Sequence, residues 1–449
     1  MHFPEGSTLQ CEANFDTKIE RGTITHTDFG TQLDICRFGA KAPLKISEPI
    51  FALTEHLDTI SLYDSFEVFS QARTRSQFNH AGVQFSRIMS NLSLIGEGRW
   101  TEKMTIRRIA FDLPETRILL NHRTTGATGI NNDDIFTLSS AGLTTRAYCT
   151  VSASHSGAEV VEVPRIEMEF DRGQSIHSIS EHVFLLVSFF SISLGRRIKP
   201  ARIGISHITR EQETPQAAAR DYFFYVMGEW QFEQLQPDQH QNYSSPFLSF
   251  DQEELNALTR SLTAWISRRQ DWMKAYGNMF SCLAKSQEVS GERLLSAFKW
   301  FENLPNARPE ASLEAAQLNE IVEAASNVAA RIDPSLNDRI KSSLSKIANE
   351  TFRSQVERLV SLAWKKTSAP INPELIVRHI VRGRRLRGDA AHSVLDVSGK
   401  DSFKDCNGAI LALEATCFML TLADLTVTND GLNRIWHHRI IRDLRLGEL

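Results

Sequence analysis

The spacing of apolar and polar positions changes character part-way along the chain. Up to residue 248, short runs rich in Thr, Ile, Val and aromatics predict β-strands. Gly22–Phe38, Lys103–Phe111 and Leu143–Ser152 are such runs, and Gly-, Asn- and Asp-rich clusters such as Gly126–Asp134 separate them. Val161–Phe170 alternates apolar and polar residues from Ile166 onward, which predicts a half-buried strand with Pro164 at an edge or entry position. Arg202–Ile208 and Asp221–Gly228 are expected to be closing strands. Ile176–Leu194 is the exception, a predicted helix with Gly195 as its C′ residue and Arg196 and Arg197 after it.

A polar stretch, Gln234–Ser245, marks the expected boundary. Beyond it the apolar period becomes helical. Ser249 is the expected N-cap of a helix over Phe250–Lys274, where Leu255, Leu258, Leu262, Trp265 and Ile266 recur at spacings of three and four. Further helices are predicted over Glu292–Asn303, Leu313–Ile332 and Asn337–Trp364. Asn372-Pro373 combines a capping side chain with a proline at the first helical position, and opens a helix running toward Arg387. Asp405–Leu425 is apolar nearly all round and is therefore expected to be buried. The fold class is α+β multidomain: a β-rich, sandwich-like domain over residues 1–248, then an all-α bundle over 249–449.

Composition narrows the possibilities. The 449 residues are 41% apolar and 23% charged, which excludes a disordered tail, a collagen-like repeat and a disulfide scaffold. The net charge of −4 is an average of unlike halves, about −6 up to Phe250 and +2 from Asp251 onward. The N-terminal MHFPEGSTLQ lacks the basic and apolar regions of a signal peptide. The apolar run Val183–Leu194 would span only roughly 18 Å as a helix, so no membrane span is expected and the cytoplasm is the expected compartment. The six cysteines form no CxxC pair and read as reduced core thiols. Six of the seven tryptophans (Trp230, Trp265, Trp272, Trp300, Trp364 and Trp436) read most simply as core and interface aromatics. His437-His438 has the look of a metal pair only by adjacency. Neighbours on a helix point about 100° apart, so a surface tail is expected.

The chain has no GxxxxGK[ST], GxSxG, HExxH or EF-hand loop. Chemistry concentrates in RHIVRGRRLRGDAAH. There Arg378, Arg382, Arg384, Arg385 and Arg387 fall within ten residues with no acid among them, a phosphate-binding footprint or else a solvated helix face. His392 has the proton-transfer chemistry of an imidazole near neutral pH, and Arg387 carries a permanent planar charge. Positions five apart on a helix differ by roughly 140°, so these two side chains would not share a face. A break at Gly388, a curved Arg side chain or a second subunit would each reconcile them.

Arg387 and His392, an Arg-x4-His spacing at the end of a helix within an all-α domain of about 200 residues, resemble the core motif of the HEPN superfamily. The Ala390-Ala391-His392 ending, the Ile380-Val381-Arg382 run, the apolar segment Glu181–Lys199 and the helix Glu292–Glu302 are similar to the ApeA-like members of phage abortive infection. The resemblance covers nearly the whole chain, although only Arg387 and His392 form a specific motif. Gly388 departs from it, standing where the family usually has a polar residue, often Asn. The resemblance implies a metal-independent RNA endonuclease without cofactor that leaves 2′,3′-cyclic phosphate and 5′-hydroxyl ends. It assigns Arg387 as phosphate clamp, His392 as general acid or base, and Asp389 and Glu302 as supporting candidates. Arg378, Arg382, Arg384 and Arg385 would hold RNA phosphates, with transfer RNA among the candidate substrates. It also implies a homodimer through the helical domain and a phage-derived trigger at the β-rich domain. Two alternatives stand beside it: a catalytically silent HEPN module that binds RNA or protein, and a binding protein led by its β domain.

Overall fold

The computed structural model describes residues 8–446, apart from 16–17, 28–29, 39–48, 57, 74–82, 97, 102, 121–133, 141, 154–159, 215–221, 228–245, 252, 334, 336, 345–346, 348, 366–370 and 393–394. It is α+β, with a β-rich N-terminal region followed by a helical region. The expected linker Gln234–Ser245, residues 126–133 and Trp230 lie outside the described residues.

Six strands, β1 (Thr8–Phe15), β2 (Lys18–Thr27), β3 (Gly30–Phe38), β4 (Ile50–Thr54), β5 (Thr59–Arg73) and β6 (Val83–Gly96), close into a ring through the β3–β6 pairing. Closure replaces the sandwich-like arrangement expected from sequence, and its cause lies in β6. This 14-residue strand pairs with β3 over Val83–Ser90 and has enough length left to pair with β12 (Tyr222–Met227) over Leu92–Ile95. A closed ring leaves no exposed ladder edge. Alternation fills its interior with Ala13, Phe15, Ile24, Leu33, Ile35, Ile60, Leu62 and Ile88. Beyond β12 the sheet continues through β11 (Ala201–Ser206), β7 (Ile106–Asp112), β10 (Val160–Gln174), β9 (Leu143–Ala153) and β8 (Phe136–Ser140). Strand β10 is interior, flanked by β7 and β9, and not the edge that Pro164 suggested. The proline is tolerated because its ladder with β7 begins only at Arg165, and its carbonyl accepts from Leu113 N at 2.8 Å.

Contacts divide the chain into Met1–Val187 with Ile198–Gln241, and Ser188–Arg197 with Asn242–Leu449, where the sequence suggested a single cut at 248. The end of helix α1 (Ile179–Leu194) thus belongs with the helical unit, where Phe189 meets Trp265 and Phe190 meets Phe250 edge-on. The helix stops at Gly195, whose φ of +68° lets Gly195 N and Arg196 N donate to the Ile192 and Ser191 carbonyls. An added Cβ there would lie 2.8 Å from His438.

The helical unit continues with α2 (Leu255–Ser267), α3 (Arg269–Ala284), α4 (Gly291–Asn303), α5 (Ala315–Ile332), α6 (Asn337–Leu344), α7 (Phe352–Trp364), α8 (Pro373–Ala391), α9 (Lys400–Leu422), α10 (Asn429–Ile435) and α11 (Arg439–Leu446). Two single helices expected from sequence are each two. The first breaks at Arg268, whose guanidinium stacks 3.9 Å from the Trp272 ring and donates to the Thr421 carbonyl at 3.0 Å. The second breaks before Thr351, which caps α7 by accepting from Ser354 N at 3.2 Å. Ser249 is not an N-cap; its hydroxyl accepts from Asp251 N, and α2 starts six residues later at Leu255.

Trp265, Trp272, Trp300 and Trp364 are buried. His438 overturns the surface-tail expectation: it is 0% exposed, stacks on Phe418 at 4.3 Å and donates from Nε2 to the Ile192 carbonyl at 2.9 Å. Burial holds its imidazole neutral, with the pKa lowered to about 3. His437 beside it is exposed. Ile176–Leu194 and Lys400–Leu422 are long and apolar enough to cross a membrane, but 67% and 89% of their apolar windows are buried within the protein.

Candidate functional site

Helix α8 carries the arginine-rich segment. Asn372 caps it by accepting from Glu374 N and Leu375 N at 3.1 and 3.4 Å, and Pro373 occupies the position whose missing N–H costs nothing. Ile376, Val377, Ile380 and Gly383 form its buried stripe. Gly383 is required for close packing on α9, because an added Cβ would lie 2.7 Å from Ala409 Cβ and 3.4 Å from the Phe298 ring. His379 abuts Gly408 of α9 in the same way. Its burial lowers the imidazole pKa, against the opposing pull of Asp405.

Gly388 is different. Nothing lies within 4 Å of a Cβ added there, and α8 runs through it to Ala391. The glycine neither breaks the helix nor answers a packing demand. His392 is the C-cap, with φ −96° and ψ 9°, and its N–H donates to the Gly388 carbonyl at 3.2 Å.

The five arginines sort by direction. Arg387 points to α4: its guanidinium forks onto the Glu302 carboxylate, with NH2 3.0 Å from Oε2, and its Cζ stands 5.5 Å from the Phe298 ring centre. Arg384 lies over the Phe352 ring at 4.5 Å. Arg382 pairs with Asp405 of α9. Arg378 and Arg385 are exposed and, among the described residues, have no ion-pair partner. Asp389 and His392 are exposed, and no described side chain hydrogen-bonds to either. Two of the sequence candidates, Arg387 and Glu302, are therefore joined. His392 and Asp389 are not joined to them, and the roughly 140° between positions five apart on an unbroken helix sends His392 away from α4.

Sequence reasoning missed two features here. Helix α7 supplies the second wall of a cleft of about 880 Å³ against α8, bringing Arg353, Glu357 and Val360 opposite Val377, Arg378 and Arg385. Helix α4, which offers Glu302 at its end, is anchored at its start by Arg293. That guanidinium forks onto Glu414 at 2.8 and 2.7 Å and donates to the Ser286 and Glu288 carbonyls. An acid in the otherwise apolar Asp405–Leu425 segment was the available signal for this pair. Among the described residues, no three His, Cys, Asp or Glu side chains stand together as a metal-binding group.

Comparison with family models, with curated proteins and with solved structures returns no match to this chain.

Proposed function

We propose that the chain is a cytoplasmic, metal-independent RNA endonuclease of the HEPN type acting in antiphage defence, and that Arg387 and His392 carry its chemistry. The 2′-oxygen attacks the adjacent phosphorus, losing its proton to a base, and the bond to the 5′-oxygen breaks as that oxygen takes a proton from an acid. The products are a 2′,3′-cyclic phosphate and a 5′-hydroxyl. His392, exposed at the helix end, performs one of the proton transfers. Arg387 holds the phosphate oxygens as charge develops, its planar fork aimed by Glu302.

The observation that supports this reading most is the Arg387 guanidinium held by Glu302 five residues before an exposed histidine with no described side-chain partner. Because the two diverge around α8, the active unit is a homodimer in which His392 of one copy stands beside Arg387 of a second. The β-rich domain restrains or triggers the reaction, as the domain order of the resembled proteins implies. Incubating purified protein with end-labelled RNA, transfer RNA included, tests the proposal. Cyclic-phosphate ends are expected from the wild type and none from His392→Ala; intact RNA with both, also in phage-infected cells, counts against it. The silent-module alternative rests on the same pair: a guanidinium occupied by Glu302 on a face away from His392 suits binding without turnover.

A further inference from the structure

Residues 310–350 depart from and return to one place in the helical unit. Glu350 N donates to the Glu310 carbonyl at 2.9 Å, Ala311 bridges to Asn349, and Ser312 Oγ donates to the Ile347 carbonyl at 3.0 Å. Arg358 of α7 holds this base closed: it donates to the Glu350 carboxylate at 2.6 Å and to the Arg308 carbonyl at 3.0 Å. Between the two ends lie α5 and α6, which pack on each other. Ser326 and Ala329 are the buried positions of α5, on the face that α6 covers. About a quarter turn away runs a second apolar stripe, Leu318, Ile321, Ala325, Val328 and Ile332, at spacings of three, four, three and four. Ile321, Val328 and Ile332 are 39%, 58% and 75% exposed. The spacing is that of a coiled-coil seam, and in the single chain the seam faces solvent.

We infer that this stripe pairs, antiparallel and about a twofold axis, with the same stripe on a second copy of the chain, at a contact separate from Arg387 and His392. Two features of the arm specify a second copy as the occupant. The stripe matches itself when reversed: with Ile321 set against Ile332 of the second copy, Ala325 meets Val328, small against large, in both central layers. The charges match in the same sense. Residues 311–330 carry Glu314, Glu320 and Glu323 with no Lys or Arg, whereas 331–344 carry Arg331, Arg339 and Lys341 against Asp333 and Asp338. All eight side chains are exposed. Antiparallel pairing brings the acidic half of one arm beside the more basic end of the other, and a parallel pair would set like beside like. The contact uses no residue of α8, so it does not rest on the nuclease reading. Together with the dimer proposed for the composite site, it links chains into a larger assembly.

Sedimentation velocity on the full chain at about 50 µM tests it. Ile321→Glu/Val328→Glu places charges in the seam at positions that are exposed in the single chain, and is expected to halve the mass of the wild-type assembly. Asn319→Glu/Asn327→Glu adds the same charge at exposed positions off the stripe, and is expected to keep the wild-type mass. A wild type that sediments as a single chain, or a stripe variant with the wild-type mass, overturns the inference; the second result leaves the composite-site dimer standing. Cross-linking by mild oxidation reads the orientation. In the antiparallel pair Ile321 lies beside Ile332 of the second copy and roughly 16 Å from its Ile321, too far for a disulfide. Ile321→Cys and Ile332→Cys are therefore expected to cross-link when mixed, and each alone no more than the wild type does. Cross-linking by each variant alone, with no gain on mixing, overturns the antiparallel pairing.

Discussion

Helix α4 holds two Arg–Glu forks of the same chemistry in opposite surroundings. At its start Arg293 and Glu414 have side chains 4% exposed each; at its end Glu302 and Arg387 are 44% and 37% exposed. In the first, both charges have left water and the NH1 group of the guanidinium donates to two backbone carbonyls, so the pair anchors α4 to α9. In the second, solvent screens the attraction to about 0.2–1 kcal/mol, and a phosphate can compete for the guanidinium. Identical side-chain chemistry is a fixed anchor when desolvated and an exchangeable contact when wet.

The largest predicted effect comes from breaking the buried fork. Glu414→Ala leaves Arg293 charged and unpaired, and chemical denaturation should register a loss of about 3–5 kcal/mol. A loss below about 1 kcal/mol would erase the contrast between the two forks. The next effect is a pH dependence in the same core. His438 has a folded pKa of about 3 against an ordinary 6.5, so the unfolded chain binds its proton first as pH falls. The stability this neutral histidine contributes is complete above pH 6.5. It declines by about 1.4 kcal/mol per pH unit below that, toward pH 3. His438→Phe should flatten this part of the stability profile, and an unchanged slope would refute the buried neutral imidazole.

The two glycines of α8 give an intermediate pair of effects with opposite signs. Gly383→Ala drives a methyl against Ala409 and should cost about 1–3 kcal/mol. Gly388→Ala meets open space on a helix interior and should gain about 0.5–1 kcal/mol. Thermal melts of both variants check the difference, and destabilisation by Gly388→Ala would mean that the helix does not pass through that residue. Glu302→Gln is the smallest: at most about 1 kcal/mol in stability, measured by denaturation, in contrast to Glu414→Ala.

Local features were legible in the sequence where a single residue carries its own physics. Asn372-Pro373 marked the start of α8, Gly195 marked the end of α1, and the change of period separated a β-rich region from a helical one. Features made by distant residues were not. Nothing local says that β3 closes on β6, that His438 is swallowed by the core while His437 is not, or that Arg268 ends a helix by stacking on Trp272. The candidate site divides along the same line. The arginines and His392 stood out by composition. The clamp on Arg387 spans 85 residues of sequence, and the α7 wall of the cleft depends on helix pairing.

The central claim is that Arg387 and His392 act together across two copies of the chain. Mixing Arg387→Ala with His392→Ala tests it most directly. Each variant alone should leave RNA intact. After subunit exchange, the mixed dimers carry one complete site each, and cleavage should return to about a quarter of the wild-type rate. A mixture that stays inactive beside an active wild type, or full cleavage by either variant alone, would contradict it.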